Sequence, residues 1–184
     1  MPTALSPYRV LVAPGLDNSG PEHWQSRWQR LYPSFQRVEQ RDWSTPDLPA
    51  WSGRIDAARQ VERRATLIVA HSFGCLASVR SAARDPAHIA GLLLVAPADP
   101  DKFGVADQLP HEALPFPTIV IASSNDPWMK LERARDWATR WGSTFIEGGE
   151  LGHINAESGL GDWLFGQQQL QALAERAHNA LSAY

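Results

Sequence analysis

The 184 residues suffice for one domain with a sizeable core and are too few to suggest two, so the chain is read as a single domain over 1–184. It has 43% hydrophobic and 20% charged residues and a net charge of −3, with Lys102 and Lys130 its two lysines and no basic block; this argues against nucleic acid and membrane surfaces as partners. A single cysteine, Cys75, excludes an intrachain disulfide and any Cys-based metal site.

The N-terminus shows no basic segment followed by an apolar one, and no apolar run approaches about 18 residues, so a cytoplasmic protein is expected. Along the chain, apolar runs predict strands over 8–13, 35–39, 66–70, 89–96, 118–122 and 144–147. Several are short, continuous and rich in Val, Ile and Leu, as parallel strands covered on both faces require. After the first strand, Ser19 and Pro21 signal a helix start, and Trp24, Trp28 and Leu31 follow at helical spacing. The segment 97–117 carries five prolines and no period, and reads as a surface loop. Trp128, Leu131, Ala134, Ala138 and Trp141 form another helical stripe closed by Gly142. A last helix is predicted over about 167–181, with Leu170, Ala174, Ala177 and Leu181 on one face. Eight tryptophans point to aromatic core packing or a wide apolar surface.

This alternation predicts an α/β fold: a parallel sheet of about six strands with helices on both faces. Right-handed crossovers favour the order 2-1-3-4-5, extended to 2-1-3-4-5-6 by the last strand, with the switch point between the first and third strands. The stretches that end those strands, "APGLDNSG" and "AHSFG", would then meet at one crevice.

In "AHSFGC", Ser72 sits where a strand must turn at once into the helix that opens with Leu76-Ala77-Ser78-Val79. The nucleophile elbow is written G-x-S-x-G, with small residues two before and two after the serine so that strand and helix pass closely. Ala70 and Gly74 hold those positions, so the first glycine is replaced by the next smallest residue; a plain helix cap is the rival reading of Ser72. A serine hydroxyl needs a general base, and the base needs an acceptor that fixes its tautomer, in the chain order Ser, Asp or Glu, His. Asp126 follows the fifth strand, before Pro127 as the start of a helix, and His153 follows the sixth in a glycine-rich loop. Asp99 and Asp101, after the fourth strand, are the weaker rivals for the acid. His23, His88, His111 and His178 read as surface residues, and His71 as shaping the turn. An oxyanion hole would take the Phe73 amide and, after Gly15, that of Leu16, with Asp17 the neighbouring candidate. Trp128 and Asp17 are candidate substrate contacts.

The ordered set "PGLDNSGPEHWQSRW", "DWSTPDLPAW", "AHSFGC", "SSNDPW" and "GHIN" resembles the α/β-hydrolase family that includes retinoblastoma-binding protein nine and the YdeN-like bacterial proteins. The resemblance implies a small serine hydrolase with a three-layer, flavodoxin-like cut of the fold, no cap domain, and a triad that carries over onto Ser72, Asp126 and His153. Trp24, Trp43 and Trp51 match family tryptophans. No Leu-x-Cys-x-Glu segment is present, so no retinoblastoma-type partner is implied.

The expected function is therefore acyl hydrolysis of esters, or of amides, on small-molecule substrates and without a cofactor. The alternative is a catalytically weak protein-binding module on the same fold. A nucleotide-binding protein would need G-x-G-x-x-G or a P-loop, and a metalloenzyme paired histidines such as H-E-x-x-H; the chain has neither.

Overall fold

The computed structural model describes residues 3–181. Six parallel strands run in the order β2-β1-β3-β4-β5-β6, as the crossover argument expects. They are β1 (Arg9–Ala13), β2 (Gln36–Arg37), β3 (Thr66–His71), β4 (Ile89–Val95), β5 (Thr118–Ala122) and β6 (Thr144–Glu147). β1, β3 and β5 are buried throughout, which their unbroken Val, Ile and Leu content anticipates. The predicted second strand shrinks to two residues because it lies at the sheet edge and pairs with β1 alone.

Among the described residues five helices cover the sheet: α1 (Trp24–Leu31), α2 (Leu48–Gln60), α3 (Phe73–Arg84), α4 (Leu131–Arg140) and α5 (Leu164–Leu181). The two faces separate cleanly. Leu67 and Val69 pack with Trp24, Trp28, Trp163 and Leu173 on the α1/α5 side, whereas Ile68 and Ala70 pack with Trp51, Phe73 and Trp137 on the α2/α3/α4 side. This is period-2 alternation of a strand buried on both faces.

Several boundaries differ from expectation for local reasons. α1 is capped by His23, whose side chain accepts from the Gln25 amide, and not by Ser19. Leu31 ends that helix exposed. α4 begins at Leu131, not at Pro127, because residues 127–129 form a bend and Lys130 is extended; Trp128 therefore leaves the predicted stripe and Trp137 joins it. α5 starts three residues early, at Leu164, with Leu170, Ala174 and Ala177 buried as predicted; the side chain of Leu181 lies outside what is described. α2 was not foreseen at all. Its buried residues, Leu48, Trp51, Ser52 and Ile55, include only three apolar side chains, too sparse a stripe to stand out, although Asp47 caps it and Pro49 opens it as a helix start requires.

Segment 97–117 forms a single short 3-10 turn, Ala106–Gln108, and no cap domain. It is not purely a surface loop: Ala98, Val105 and Leu109 are buried and Phe103 packs on Phe73, with the ring centroids 5.0 Å apart. Among the described residues no helix is long and apolar enough to cross a membrane.

Candidate active site

The switch point between β1 and β3 brings their C-terminal loops together, and the loops after β5 and β6 close in from the other side. Ser72 stands between β3 and α3 with φ 53° and ψ −122°, a conformation that L residues avoid. The turn is held from both sides: the Ser72 amide donates to the Val95 carbonyl at 3.1 Å, and the Ser72 carbonyl accepts from the Cys75 and Ala98 amides. Two glycines make the geometry possible. A Cβ on Gly74 would stand 2.4 Å from the carbonyl oxygens of Ala13 and Pro14, and one on Gly15 would stand 2.7 Å from the Ser72 Cβ. No side chain fits at either position, so α3 and the loop after β1 can approach the elbow only with glycine there.

Ser72 Oγ lies 3.0 Å from His153 Nε2, and His153 Nδ1 lies 2.9 Å from Asp126 Oδ2. A carboxylate can only accept, so His153 donates through Nδ1 and its Nε2 is left as the acceptor for the Ser72 hydroxyl. The Asp126 side chain is 2% exposed and the His153 side chain 13%. Asp126 does not cap α4; its Oδ1 accepts from the Trp128 amide at 2.9 Å in a local turn. The rival carboxylates are engaged elsewhere: Asp99 and Asp101 both pair with Arg133, and neither bonds to a histidine.

The separation of Asp126 and His153 is set by residues that the sequence did not flag. Asn125 Oδ1 accepts from the Ser123 hydroxyl and from the Gly152 amide at 2.7 Å, while Ser123 Oγ accepts from the Leu151 amide. These bonds tie the β5 and β6 loops together. The "SSN" before Asp126 was the available signal, since such side chains commonly bond to neighbouring backbone.

Both candidate oxyanion donors adjoin the elbow: a Cβ on Gly15, the residue before Leu16, would stand 3.4 Å from the Phe73 nitrogen. Phe73 is the first residue of α3, so its amide has no preceding turn to bond to. The Leu16 amide meets no backbone acceptor among the described residues, whereas the Asp17 amide donates to the Trp43 carbonyl at 2.9 Å. Asp17 is thereby removed as an oxyanion donor, and Leu16 is left. Arg37 steadies this loop, donating to Asn18 Oδ1 at 2.9 Å and to the Ser19 carbonyl at 3.1 Å.

A cavity of about 630 Å³ opens above Ser72 and His153, bordered by Leu16, Asp17, Phe103 and Trp128. Trp128 is 62% exposed, an unusual state for an indole beside a cleft. Both candidate substrate contacts, Asp17 and Trp128, thus border the same space.

His23 is not a surface residue. It is 4% exposed, stacks edge-on to His71 with the ring centroids 4.7 Å apart, and has its pKa lowered to about 3 by burial and by the charges of Arg37 and His153. His71 is likewise buried and held neutral well below the usual histidine range, first by burial. His88, His111 and His178 are exposed, as expected. Between the ordinary histidine value and about 3, the unfolded chain binds a proton at His23 that the folded chain refuses. Stability is therefore full above about pH 6.5 and declines as pH falls, by up to about 1.4 kcal/mol per pH unit for such a group. Urea unfolding at pH 7 and pH 5 should reveal this. His23→Asn, which can still cap α1, should shrink the loss by about 2 kcal/mol; an unaltered loss would mean that His23 titrates normally.

The strain at Ser72 has its own signature. Ser72→Gly should be more stable than Ser72→Ala by about 1 kcal/mol, because glycine adopts this φ freely. Equal denaturation midpoints would show that the elbow stores no strain.

Residues 10–172 match the family model for serine hydrolase. The chain belongs to that serine hydrolase family. A YdeN-like hydrolase from Pectobacterium atrosepticum is similar at 39% identity and a TM-score of 0.91, over 95% of this chain and 94% of that one. The YdeN protein of Bacillus subtilis shares the fold at 19% identity and a TM-score of 0.73, over 90% and 98% of the two chains. An α/β-hydrolase-type protein of Agrobacterium tumefaciens does so at 14% identity and 0.66, over 94% and 87%. No curated protein matches the sequence. In this serine hydrolase of YdeN-like type, residues of the Pro14, His71, Trp128 and His153 motifs border one cavity, whereas the segment 42–51 lies outside it.

Proposed function

We propose that this serine hydrolase cleaves small acyl esters, or amides, through a Ser72–His153–Asp126 triad. The observation that carries the proposal is the unbroken hydrogen-bond chain from Ser72 Oγ through His153 to Asp126, set on a strained strand-to-helix turn. In the reaction Ser72 Oγ attacks the acyl carbonyl while His153 Nε2 takes the hydroxyl proton. The tetrahedral oxyanion is held by the Phe73 and Leu16 amides. His153 then gives the proton to the leaving group, and a water deprotonated by His153 releases the acid. Asp126 stabilises the imidazolium without being protonated. The loop after β1 presents the Leu16 amide and the start of α3 the Phe73 amide, both without reorganisation, which is where most of such a rate enhancement arises. A protein-binding role on the same fold would have no use for this proton path.

The cavity argues for a small acyl group. It is open, it is walled by Leu16, Phe103 and Trp128, and no cap domain encloses it. Each methylene that it covers gains about 0.8 kcal/mol, and carbons beyond its edge gain nothing. The test is kcat/KM for p-nitrophenyl esters from acetate to palmitate. The value should rise over the first few carbons and then level or fall, without a jump above the micelle threshold. An optimum at the long-chain end would mean a lipid site; no turnover of any ester would favour the binding module.

A further inference from the structure

Two buried histidines, His23 and His71, adjoin the site and have no step in the reaction. We propose that His71 is a positioning residue for His153, holding its main chain through the hydrogen bond from His71 Nε2–H to the His153 carbonyl. The proposal rests on the triad reading above and adds what keeps the base in place.

His71 is the last residue of β3 and precedes Ser72, so one strand end would deliver both the nucleophile and the grip on its base. Alternation decides which way it faces. Leu67 and Val69 lie on the α1/α5 side, and His71 continues that row to meet the segment after β6, where Ile154 and Trp163 pack. Its Nε2 is 2.8 Å from the His153 carbonyl oxygen. A carbonyl only accepts, so Nε2 carries the proton. The ring is 5% exposed and lies 4.8 Å from the His153 ring, 4.7 Å from that of His23 and 6.3 Å from that of Trp24, centroid to centroid, so it has no room to swing. Because burial keeps it neutral, it donates without placing a positive charge beside the imidazolium that forms on His153.

The next residue repeats the pattern. Ile154 has φ 47°, a left-handed conformation that a β-branched residue adopts only under constraint, and its carbonyl accepts from Trp24 Nε1 at 2.8 Å. Consecutive carbonyls, of residues 153 and 154, are thus held by buried ring N–H donors, one from β3 and one from α1. The loop that brings His153 in contains Gly148, Gly149 and Gly152 and has little stiffness of its own. Anchored after its base, it fixes His153 between two partners that both need hydrogen-bond geometry.

The experiment compares His71→Phe with His71→Gln, whose amide N–H reaches about as far as Nε2, using active sites counted by phosphonate titration. Misplacing a catalytic group by about 1 Å costs on the order of 100-fold, so His71→Phe should lower kcat by about 10–100-fold with KM within about 3-fold. His71→Gln should recover most of it. Wild-type kcat in folded His71→Phe, or equal losses in both folded variants, would reduce His71 to packing and overturn the proposal. If His71→Phe does not fold, His71→Asn decides: its shorter amide falls short of the His153 carbonyl, so a kcat below that of His71→Gln at constant KM supports the grip, while a kcat equal to that of His71→Gln overturns it. Ser72→Ala separates the two levels of the argument. If Ser72→Ala stays active, the triad reading is wrong; if it is inert while His71→Phe turns over normally, only the positioning role is lost.

Discussion

Ser72→Ala is expected to lose on the order of 10⁶ in kcat and all labelling by a serine-directed phosphonate, while remaining folded. The size of the loss follows from the way triad members act as a unit: once the attacking oxygen is gone, His153 and Asp126 have no proton to move. What survives is the contribution of the oxyanion donors and of binding, about 10³–10⁴ over water in comparable enzymes. The fold should survive because the hydroxyl makes one hydrogen bond, to His153 Nε2, and the backbone bonds that hold the turn are untouched. Alanine also tolerates φ 53° no worse than serine does. Cys75 offers no substitute nucleophile. It is buried, donates to the Val95 carbonyl, and burial pushes its thiol pKa far up. Ester hydrolysis at the wild-type rate in Ser72→Ala would mean that another residue attacks.

The sheet was legible from sequence because parallel strands buried on both faces leave unbroken apolar runs, and right-handed crossovers leave few orders for them. β5 and β6 have the predicted limits for that reason. The edge strand and α2 were not legible to the same degree: β2 has one partner strand, and α2 turns little apolar surface inward. Within the site, the positions of Ser72, Asp126 and His153 at strand ends could be read from chain order. Their convergence could not, because it depends on hydrogen bonds whose distant partners chain order does not give: Asn125 and Ser123 joining two loops, and Arg37 crossing from β2 to Asn18. His23 was misread because a histidine at a helix start looks like a solvent-facing residue; only the packing of α1 on β3 shows that it is buried.

The tryptophans show a similar division. Their number suggested an aromatic core, but not its arrangement around the site. Trp24 and Trp28 donate to the carbonyls of Ile154 and Asp162, so α1 grips the segment that follows His153. Trp51 packs edge-on against Phe73, which in turn meets Phe103. The start of α3, which would supply an oxyanion donor, is thereby backed by rings that fill the space beneath it. Of the eight tryptophans, all within the described residues, Trp128 alone is exposed, and it borders the cavity.

Asp126→Asn is expected to cost roughly 10⁴ in kcat, with KM little changed and the fold intact, as for the corresponding change in a comparable triad. The cause is the tautomer of His153. With Asp126, the ring donates through Nδ1 and leaves Nε2 free to accept from Ser72. An asparagine at this position has one oxygen and one NH₂, and the two neighbours make conflicting demands on it. The Trp128 amide now donates to Oδ1, so it requires an oxygen there. That choice turns the NH₂ toward His153 Nδ1, which must then accept, and the ring proton moves to Nε2. In that state Nε2 cannot take the Ser72 proton. The opposite flip would face the NH₂ against the Trp128 N–H and leave a nearly fully buried donor without an acceptor, at about 1–3 kcal/mol. Trp128 thus selects the inactive tautomer. Asp99→Asn and Asp101→Asn should stay close to wild type, since both carboxylates face Arg133. Steady-state kinetics on the three variants with p-nitrophenyl acetate would decide between them: a large loss at Asp99 or Asp101, with Asp126→Asn near wild type, would place the acid after β4 and undo the role given to Asp126.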